Sequence, residues 1–285
     1  MTKRPGTTAI SLFQIMILFT AISFIAACSV NKAKTDNSLK KYFDENKVDG
    51  CFTLFNNADG KVTVYNMQLD TLRVTPASTF KIVNALIALE TGAVTDEKMI
   101  INWDGKVRFL PGGDTAVQWN KNMDFTEAFK ISSVPYFQEV AKRIGNTTMK
   151  QWLDSLHYGN ASTGKHIDSF WLDNSLRISP DEQLGLVKRL YFDQLPFQKR
   201  TQQIVRDVML QEDNTLYKLS YKTGWGFDEK HQNIGWVVGW IEENKHPYFF
   251  VTLVKSPTAD LDIKTIRLNI TKGILKQLGF FEGKM

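Results

Sequence analysis

Ser78 and Lys81 stand three residues apart and are the pair in this sequence best suited to chemistry. On a helix this spacing places both side chains on one face, so that the lysine amine can reach the serine hydroxyl. A neutral lysine in that position can serve as the base for a serine nucleophile. The spacing by itself has little value, because three other serines in the chain share it. These pairs are Ser29/Lys32, Ser38/Lys41 and Ser162/Lys165.

The surroundings of Ser78 separate it from the other three serines. It follows the strand-like segment 75–77 and opens the most apolar helix predicted in the chain, which Gly92 closes. The start of a helix offers a hydroxyl a positive field and free backbone N–H donors. A serine there is also a common N-cap, which is the simpler interpretation. Lys81 favours the catalytic interpretation, because a lysine within an apolar helix needs a reason.

Three further motifs follow along the chain, and each alone is common by chance. They are Ser132-Ser133-Val134, Tyr158-Gly159-Asn160 and Lys222-Thr223-Gly224. With Ser78-Thr79-Phe80-Lys81 in front of them, their order and separation resemble the class D (oxacillinase-type) serine β-lactamases. The resemblance covers the chain from about Gly50 to Leu278 and includes connecting segments. Two of these segments are Trp103-Asp104-Gly105 and Phe170-Trp171-Leu172, and the last predicted helix contributes Arg267.

The resemblance implies hydrolysis of β-lactam antibiotics, with a small-molecule β-lactam as the substrate. Ser78 would open the lactam ring to an acyl-enzyme, which water then hydrolyses. The backbone N–H groups of Ser78 and Trp225 would form the oxyanion hole. Ser132 would relay a proton to the leaving nitrogen, although a hydroxyl that merely stabilises a turn is the simpler interpretation.

The resemblance further implies that Lys81 is carbamylated by CO₂ and acts as the general base for acylation and deacylation. Trp171 would donate its indole N–H to the carbamate, although a core aromatic residue is the simpler interpretation. Desolvation can lower the pKa of a buried lysine by about 3–5 units, and the neutral amine is the form that adds CO₂. Bicarbonate or CO₂ is therefore the one cofactor expected, with none tightly bound. No metal is expected, because the four histidines do not have the spacing of ligands.

A set of substrate-binding residues completes the implied site. They are Val134, Lys222, Thr223, Gly224 and Arg267. Val134 would cover Lys81, whereas Lys222, Thr223 and Arg267 would hold the carboxylate of the antibiotic. The simpler interpretations are a core valine, a solvated strand end and an exposed helix arginine. The Tyr158-Gly159-Asn160 motif is expected to shape a loop beside the site.

The order of the predicted elements indicates an α/β fold of the α+β type. Strands at both ends with helices between them predict a mainly antiparallel sheet built from both termini, flanked by helices and carrying a helical insertion. This is the fold of serine β-lactamases and penicillin-binding transpeptidases, as the resemblance implies. The α/β part would span about 45–77 and 215–285, and the helical part about 78–214. Predicted strands are 50–55, 61–65, 217–223, 235–241 and 248–255, and the clearest helices are 80–89, 136–144, 181–191 and 263–278.

The first 27 residues are predicted to be a signal peptide that does not belong to the fold. Lys3 and Arg4 precede the apolar stretch Ala9–Ala27, which ends at Cys28. Small residues directly before a cysteine resemble a bacterial lipoprotein signal, so we expect Cys28 to be acylated and residues 28–285 to form the β-lactamase domain. The expected location is the periplasm, anchored to the outer membrane. An ordinary cleaved signal and an uncleaved membrane span are the alternatives.

Composition and charge exclude some partners and leave two other functions open. The chain of 285 residues carries a net charge of +5, with no run of five or six basic residues, so no nucleic-acid partner is expected. Cys51 lies in an apolar run and is expected to be buried rather than disulfide-bonded. The alternatives to a β-lactamase are a penicillin-binding peptidase or transpeptidase, and a β-lactam sensor domain that is acylated but does not turn over. The oligomeric state is not indicated.

Overall fold

The computed structural model describes residues 33–110, 113–256, 258 and 261–285. The predicted signal peptide and Cys28 lie outside the described residues, so both stay predictions. Within the described ranges, no helix is long and apolar enough to cross a lipid bilayer.

A seven-stranded sheet joins the two ends of the chain. Its strand order is β1-β3-β2-β9-β8-β7-β6, and a separate two-stranded ribbon pairs β4 with β5. Neighbouring strands are antiparallel except β1 and β3, and the central pairing of β2 with β9 brings the termini together. The strands are β1 Ala33–Thr35, β2 Asp49–Asn56, β3 Val62–Tyr65, β4 Ile100–Ile101, β5 Met123–Asp124, β6 Leu210–Asp213, β7 Lys218–Phe227, β8 Asn233–Glu243 and β9 His246–Ser256.

Helices cover both faces of the sheet, which is why β2, β8 and β9 are buried along nearly their whole length. The helices are α1 Lys40–Glu45, α2 Met67–Asp70, α3 Lys81–Thr91, α4 Phe125–Lys130, α5 Val134–Ile144, α6 Asn146–Leu156, α7 Pro180–Tyr191, α8 Lys199–Met209 and α9 Ile263–Gln277. One face packs against α1 and α9 in a core that contains Phe43, Phe250 and Ile274. The larger core on the other face contains α3, which is buried on almost every side.

The structure confirms the predicted fold class and the predicted strands and helices, with ends that differ by a few residues. Gly92 ends α3 with a left-handed φ of +74°, which glycine adopts without strain. Cys51 is buried and reduced. Strands β1, β4, β5 and β6 were not predicted, because each is only two to four residues long. The residues of β1 are exposed, and only its pairing with β3 makes it a strand.

Candidate active site

The side chains of Ser78 and Lys81 are in direct contact. Lys81 Nζ donates a hydrogen bond to Ser78 Oγ at 2.7 Å. Ser78 lies in a 3₁₀ turn, Ala77–Phe80, that leads into α3, and Lys81 is the first residue of that helix. Neither the turn nor the helix has a side-chain N-cap, so the hydroxyl of Ser78 does not serve as one. Ser78 is 9% exposed and Lys81 is fully buried.

Apolar surroundings hold the pKa of Lys81 far below that of a free lysine. Burial lowers it from 10.5 to about 7. The ring of Phe137, on α5, lies 5.6 Å from Lys81 Nζ. Phe80 stacks on the indole of Trp171 at 5.5 Å between ring centres. Phe137 was not foreseen as a neighbour, because its sequence signal is only that of a core residue on an amphipathic helix.

The segment before Ser78 is fixed from two sides. Thr75 Oγ1 donates to the carbonyl of Trp171 at 3.0 Å, and Trp236 Nε1 donates to the carbonyl of Thr75 at 2.8 Å. Ala77, directly before Ser78, has a left-handed φ of +48°. Such a conformation costs an alanine roughly 1–2 kcal/mol, so the surrounding contacts must hold it.

Ser132 occupies a position that glycine usually fills. The helix α4 ends in a Schellman motif, in which Ser132 N–H donates to Phe129 O and Ser133 N–H donates to Ala128 O. Ser132 is the left-handed residue of this motif, with φ of +59°. The N-cap of α5 is Ser133, whose Oγ accepts the N–H of Tyr136 at 3.4 Å. The two adjacent serines therefore differ, and only Ser133 has a purely structural contact.

Lys222 joins Ser132 to the sheet. Its Nζ donates to Ser132 Oγ at 2.9 Å and to its neighbour's carbonyl, Thr223 O, at 3.1 Å. Lys222 is buried on β7, and its pKa lies well below the usual value because of burial and the nearby charges of Lys81 and Arg267. Among the described residues, no carboxylate forms an ion pair with any of these three cations.

The strand β7 presents an open edge beside Ser78. The pairing of β6 with β7 stops at Ser220, so the following residues have no strand from the described part of the chain on that side. A Cβ on Gly224 would lie 2.9 Å from Pro76 O and 3.1 Å from a methyl group of Thr79, so a side chain does not fit there. Thr223 and Trp225 are half-buried on either side of it.

Arg267 lies on α9, and its side chain reaches the backbone of β7. Its Nη1 donates to the carbonyl of Gly224, and its Nε has no hydrogen-bond partner among the described residues. The side chain is buried, which lowers its pKa to about 10. An exposed helix arginine, the simpler interpretation, is therefore wrong, and the guanidinium contacts the backbone of the Lys-Thr-Gly motif.

Two more residues predicted for the site lie in the core around it. Trp171 is fully buried, and its Nε1 has no hydrogen-bond partner among the described residues. Val134 is the half-buried first residue of α5 and follows the Ser132-Ser133 pair. In the described ranges, no three His, Cys, Asp or Glu side chains are grouped so that they could hold a metal ion.

The Tyr158-Gly159-Asn160 motif fastens a loop beside the site. Asn160 N–H donates to Arg177 O, Arg177 N–H donates to Asn160 Oδ1, and Asn160 Nδ2 donates to Ser175 O. The edge of the Tyr158 ring lies against Phe80, the residue before Lys81, at 5.8 Å between ring centres. The motif thus has the loop-shaping position that its residue types predict.

We expect Gly159→Ala to destabilise the protein far more than Gly92→Ala does. Both glycines have a left-handed φ, which costs an alanine roughly 1–2 kcal/mol. At Gly92 no atom of the described residues lies within 4 Å of the new Cβ, whereas at Gly159 it would lie 1.9 Å from the carbonyl oxygen of Arg177. A free energy of unfolding from urea titration that is equal for the two variants would contradict this placement of the loop.

Comparison with known proteins agrees with this geometry. The penicillin-binding protein transpeptidase domain family matches residues 32–276. Beta-lactamase OXA-48 of Klebsiella pneumoniae is 38% identical over 261 residues, which are 91% of this chain and 95% of that protein. The crystal structure of a class D β-lactamase from Sebaldella termitidis has a TM-score of 0.80 at 34% identity and covers 87% of this chain and 98% of that one. The C-terminal domain of the Bacillus licheniformis BlaR penicillin-receptor also has a TM-score of 0.80, at 30% identity, and covers 87% and 97% of the two chains. The chain therefore belongs to the penicillin-binding protein transpeptidase family and, within it, to the class D serine β-lactamases.

Proposed function

We propose that this enzyme hydrolyses β-lactam antibiotics through an acyl-enzyme formed on Ser78. The observation that carries the proposal is the 2.7 Å hydrogen bond between Ser78 Oγ and the buried Nζ of Lys81. A lysine with a pKa of about 7 is largely neutral at slightly alkaline pH, so it can accept a proton from the attacking hydroxyl. The names of the β-lactamase relatives support this class of substrate.

In this proposal, the base at Lys81 is carbamylated by CO₂. The neutral amine adds CO₂ and loses one proton, and the low pKa of Lys81 keeps that amine available. When present, the carbamate supplies an anionic oxygen as the general base. Trp171 fits such a group, because its buried Nε1 is a hydrogen-bond donor without a partner in the described structure, and Phe80 holds its ring in place.

The second hydroxyl–lysine pair is suited to the leaving nitrogen. Ser132 Oγ accepts a hydrogen bond from Lys222, so its own proton is free to be donated to the nitrogen of the opened lactam. The backbone N–H groups of Ser78 and Trp225 would bind the developing oxyanion. Removal of one such donor typically lowers the rate roughly 10²–10³-fold.

The uncompensated positive charge around β7 is suited to the carboxylate of the antibiotic. Lys222 supplies a buried ammonium, and the neighbouring Thr223 carries a hydroxyl on the part of β7 that is not paired with β6. Arg267 adds positive potential while its hydrogen bond holds the carbonyl of Gly224. Val134 would cover Lys81 at the start of α5.

A β-lactam sensor is the second candidate, and the likeness to the BlaR penicillin-receptor domain favours it. A sensor needs the same nucleophile and the same activation of that nucleophile. It differs from a β-lactamase in the second half of the reaction, because its acyl-enzyme is not hydrolysed. The described geometry serves acylation in both cases, so deacylation is the step that separates the two candidates.

We expect the purified chain to convert many equivalents of a chromogenic β-lactam, and Ser78→Ala to abolish the reaction. Ser162→Ala is the matched control, because Ser162 and Lys165 have the same spacing away from the site. A burst of one equivalent that then stops would show a sensor or a penicillin-binding protein. A rate that Ser78→Ala leaves unchanged would refute the acyl-enzyme on this serine.

We expect the reaction to depend on bicarbonate, and more strongly at acidic pH. Below a pKa of about 7, the neutral fraction of Lys81 falls roughly tenfold per pH unit, so the rate should drop near pH 5.5 and recover when bicarbonate is added. Trp171→Phe keeps an aromatic side chain, although a smaller one, and removes the N–H, so it should increase the bicarbonate needed at pH 8. Trp236→Phe is the control: it removes the hydrogen bond to the carbonyl of Thr75 and leaves Trp171 unchanged. It should lower the rate, and bicarbonate added at pH 8 should not restore it. If bicarbonate changes the rate of neither the unchanged chain nor the two variants, the carbamate at Lys81 is contradicted.

We also propose that residues 1–27 are a signal peptide and that acylated Cys28 anchors domain 28–285 to the outer membrane from the periplasm. The basic start, the apolar stretch Ala9–Ala27 and the cysteine at its end support this location. Cells that express the chain should incorporate labelled palmitate into it, and Cys28→Ser should remove the label. Labelling that persists in Cys28→Ser would place the lipid elsewhere.

A further inference from the structure

A second cleft lies near the site but does not belong to it. It has a volume of about 350 Å³ and lies between residues 100–108 and 119–123 on one side and α5 on the other. Its lining contains neither Ser78, Lys81 nor Lys222, and it approaches the site only through Ser133 and Pro135.

Exposed apolar side chains are concentrated in the stretch of chain that contributes to this cleft. Nine large hydrophobic side chains are exposed among the described residues, and five of them lie within 100–117. These five are Ile100, Trp103, Val107, Phe109 and Val117. Two of the five, Ile100 and Trp103, line the cleft, and exposed apolar side chains that lie together are typical of a binding surface.

Two tryptophans line the cleft, and both have fixed rings. Trp103 Nε1 donates to Lys106 O at 2.9 Å, and Trp119 Nε1 donates to Ile131 O at 3.4 Å. Because both N–H groups are already used, a ligand can contact only the apolar faces and edges of these rings. Such surfaces favour a flat aromatic partner.

Four cations and two carboxylates also line the cleft. The two carboxylates, Asp104 and Glu139, are paired with two of the cations, Arg108 and Arg143. The other two cations also have carboxylate partners, but those carboxylates lie outside the lining.

The two cations of the lining whose partners lie outside it are Lys121 and Lys142. Their ion-pair partners, Glu127 and Asp168, are not part of the lining. The side chains of the two lysines are 52% and 54% exposed. Surface ion pairs of this kind are weak, so an anion in the cleft can compete for both ammonium groups.

We propose that this cleft is a binding site for a planar aromatic anion, which is an aromatic ring that carries a carboxylate or a sulfonate. The ring lies against Trp103 and Trp119, and the anionic group is held by Lys121 and Lys142. This site goes beyond the hydrolysis proposed at Ser78 and does not require it.

Calorimetric titration of the full chain with naphthalene-2-sulfonate tests the site. We expect saturable binding of this probe, and no measurable binding of 2-naphthol, which lacks the charge, or of methanesulfonate, which lacks the ring. Lys121→Gln combined with Lys142→Gln should weaken binding roughly tenfold. Lys150→Gln is the matched control and should leave the affinity unchanged, because this lysine forms a similar exposed ion pair on α6.

The Lys222→Gln variant shows whether the probe has bound to the catalytic cations instead. Binding that is lost in Lys222→Gln and kept in the double lysine variant would overturn the proposal, as would the absence of binding to the unchanged chain. Melting temperatures of all variants show that each is folded. Because binding is measured without a β-lactam, failure of the proposed hydrolysis leaves this test intact.

Discussion

The contact between Ser78 and Lys81 depends on a lysine that is buried without a counter-ion. A charge removed from water is costly, so the protein either pairs it or leaves it neutral. Among the described residues, Lys81 has no carboxylate partner, and burial accordingly lowers its pKa to about 7. The rest of the larger core serves this constraint, because α3 must be apolar on nearly every side and α5 must place Phe137 against the amine. A lysine amine of ordinary pKa could lie on an exposed helix and would not need this apolar core.

Two strained backbone positions accompany the two hydroxyls of the candidate site, those of Ser78 and Ser132. Ala77, before Ser78, and Ser132 both have a left-handed φ, which costs a residue other than glycine roughly 1–2 kcal/mol. The contacts around each position determine its conformation. Trp236 and Trp171 hold the chain before Ala77 through Thr75, whereas the two Schellman hydrogen bonds hold Ser132. Strain that is kept beside a hydroxyl and held from several sides is typical of a functional site.

Much of the fold was predictable, because local patterns in the sequence indicate it. The apolar run around α3, its stop at Gly92 and the β-rich runs of the sheet each indicate their element without reference to the rest of the chain. Contacts between residues far apart in the chain, and the backbone conformations that depend on them, were not predictable from the residues alone. Nothing local shows that Phe137 would face Lys81 or that Ser132 would have a left-handed backbone. The burial of Arg267 likewise arises only when α9 packs behind β7.

The three cations of the site also explain why a carbamate at Lys81 would suit the proposed reaction. The positive charge of Lys81 is one of the causes that lower the pKa of Lys222, and Arg267 adds to them. If the lysine base becomes an anion, it raises the pKa of Lys222 instead and keeps that ammonium charged for the carboxylate of the substrate. The coupling is reciprocal, so the positive charge of Lys222 and Arg267 also stabilises an anionic base. In the proposed mechanism, a single change at Lys81 would therefore serve proton transfer and substrate binding together.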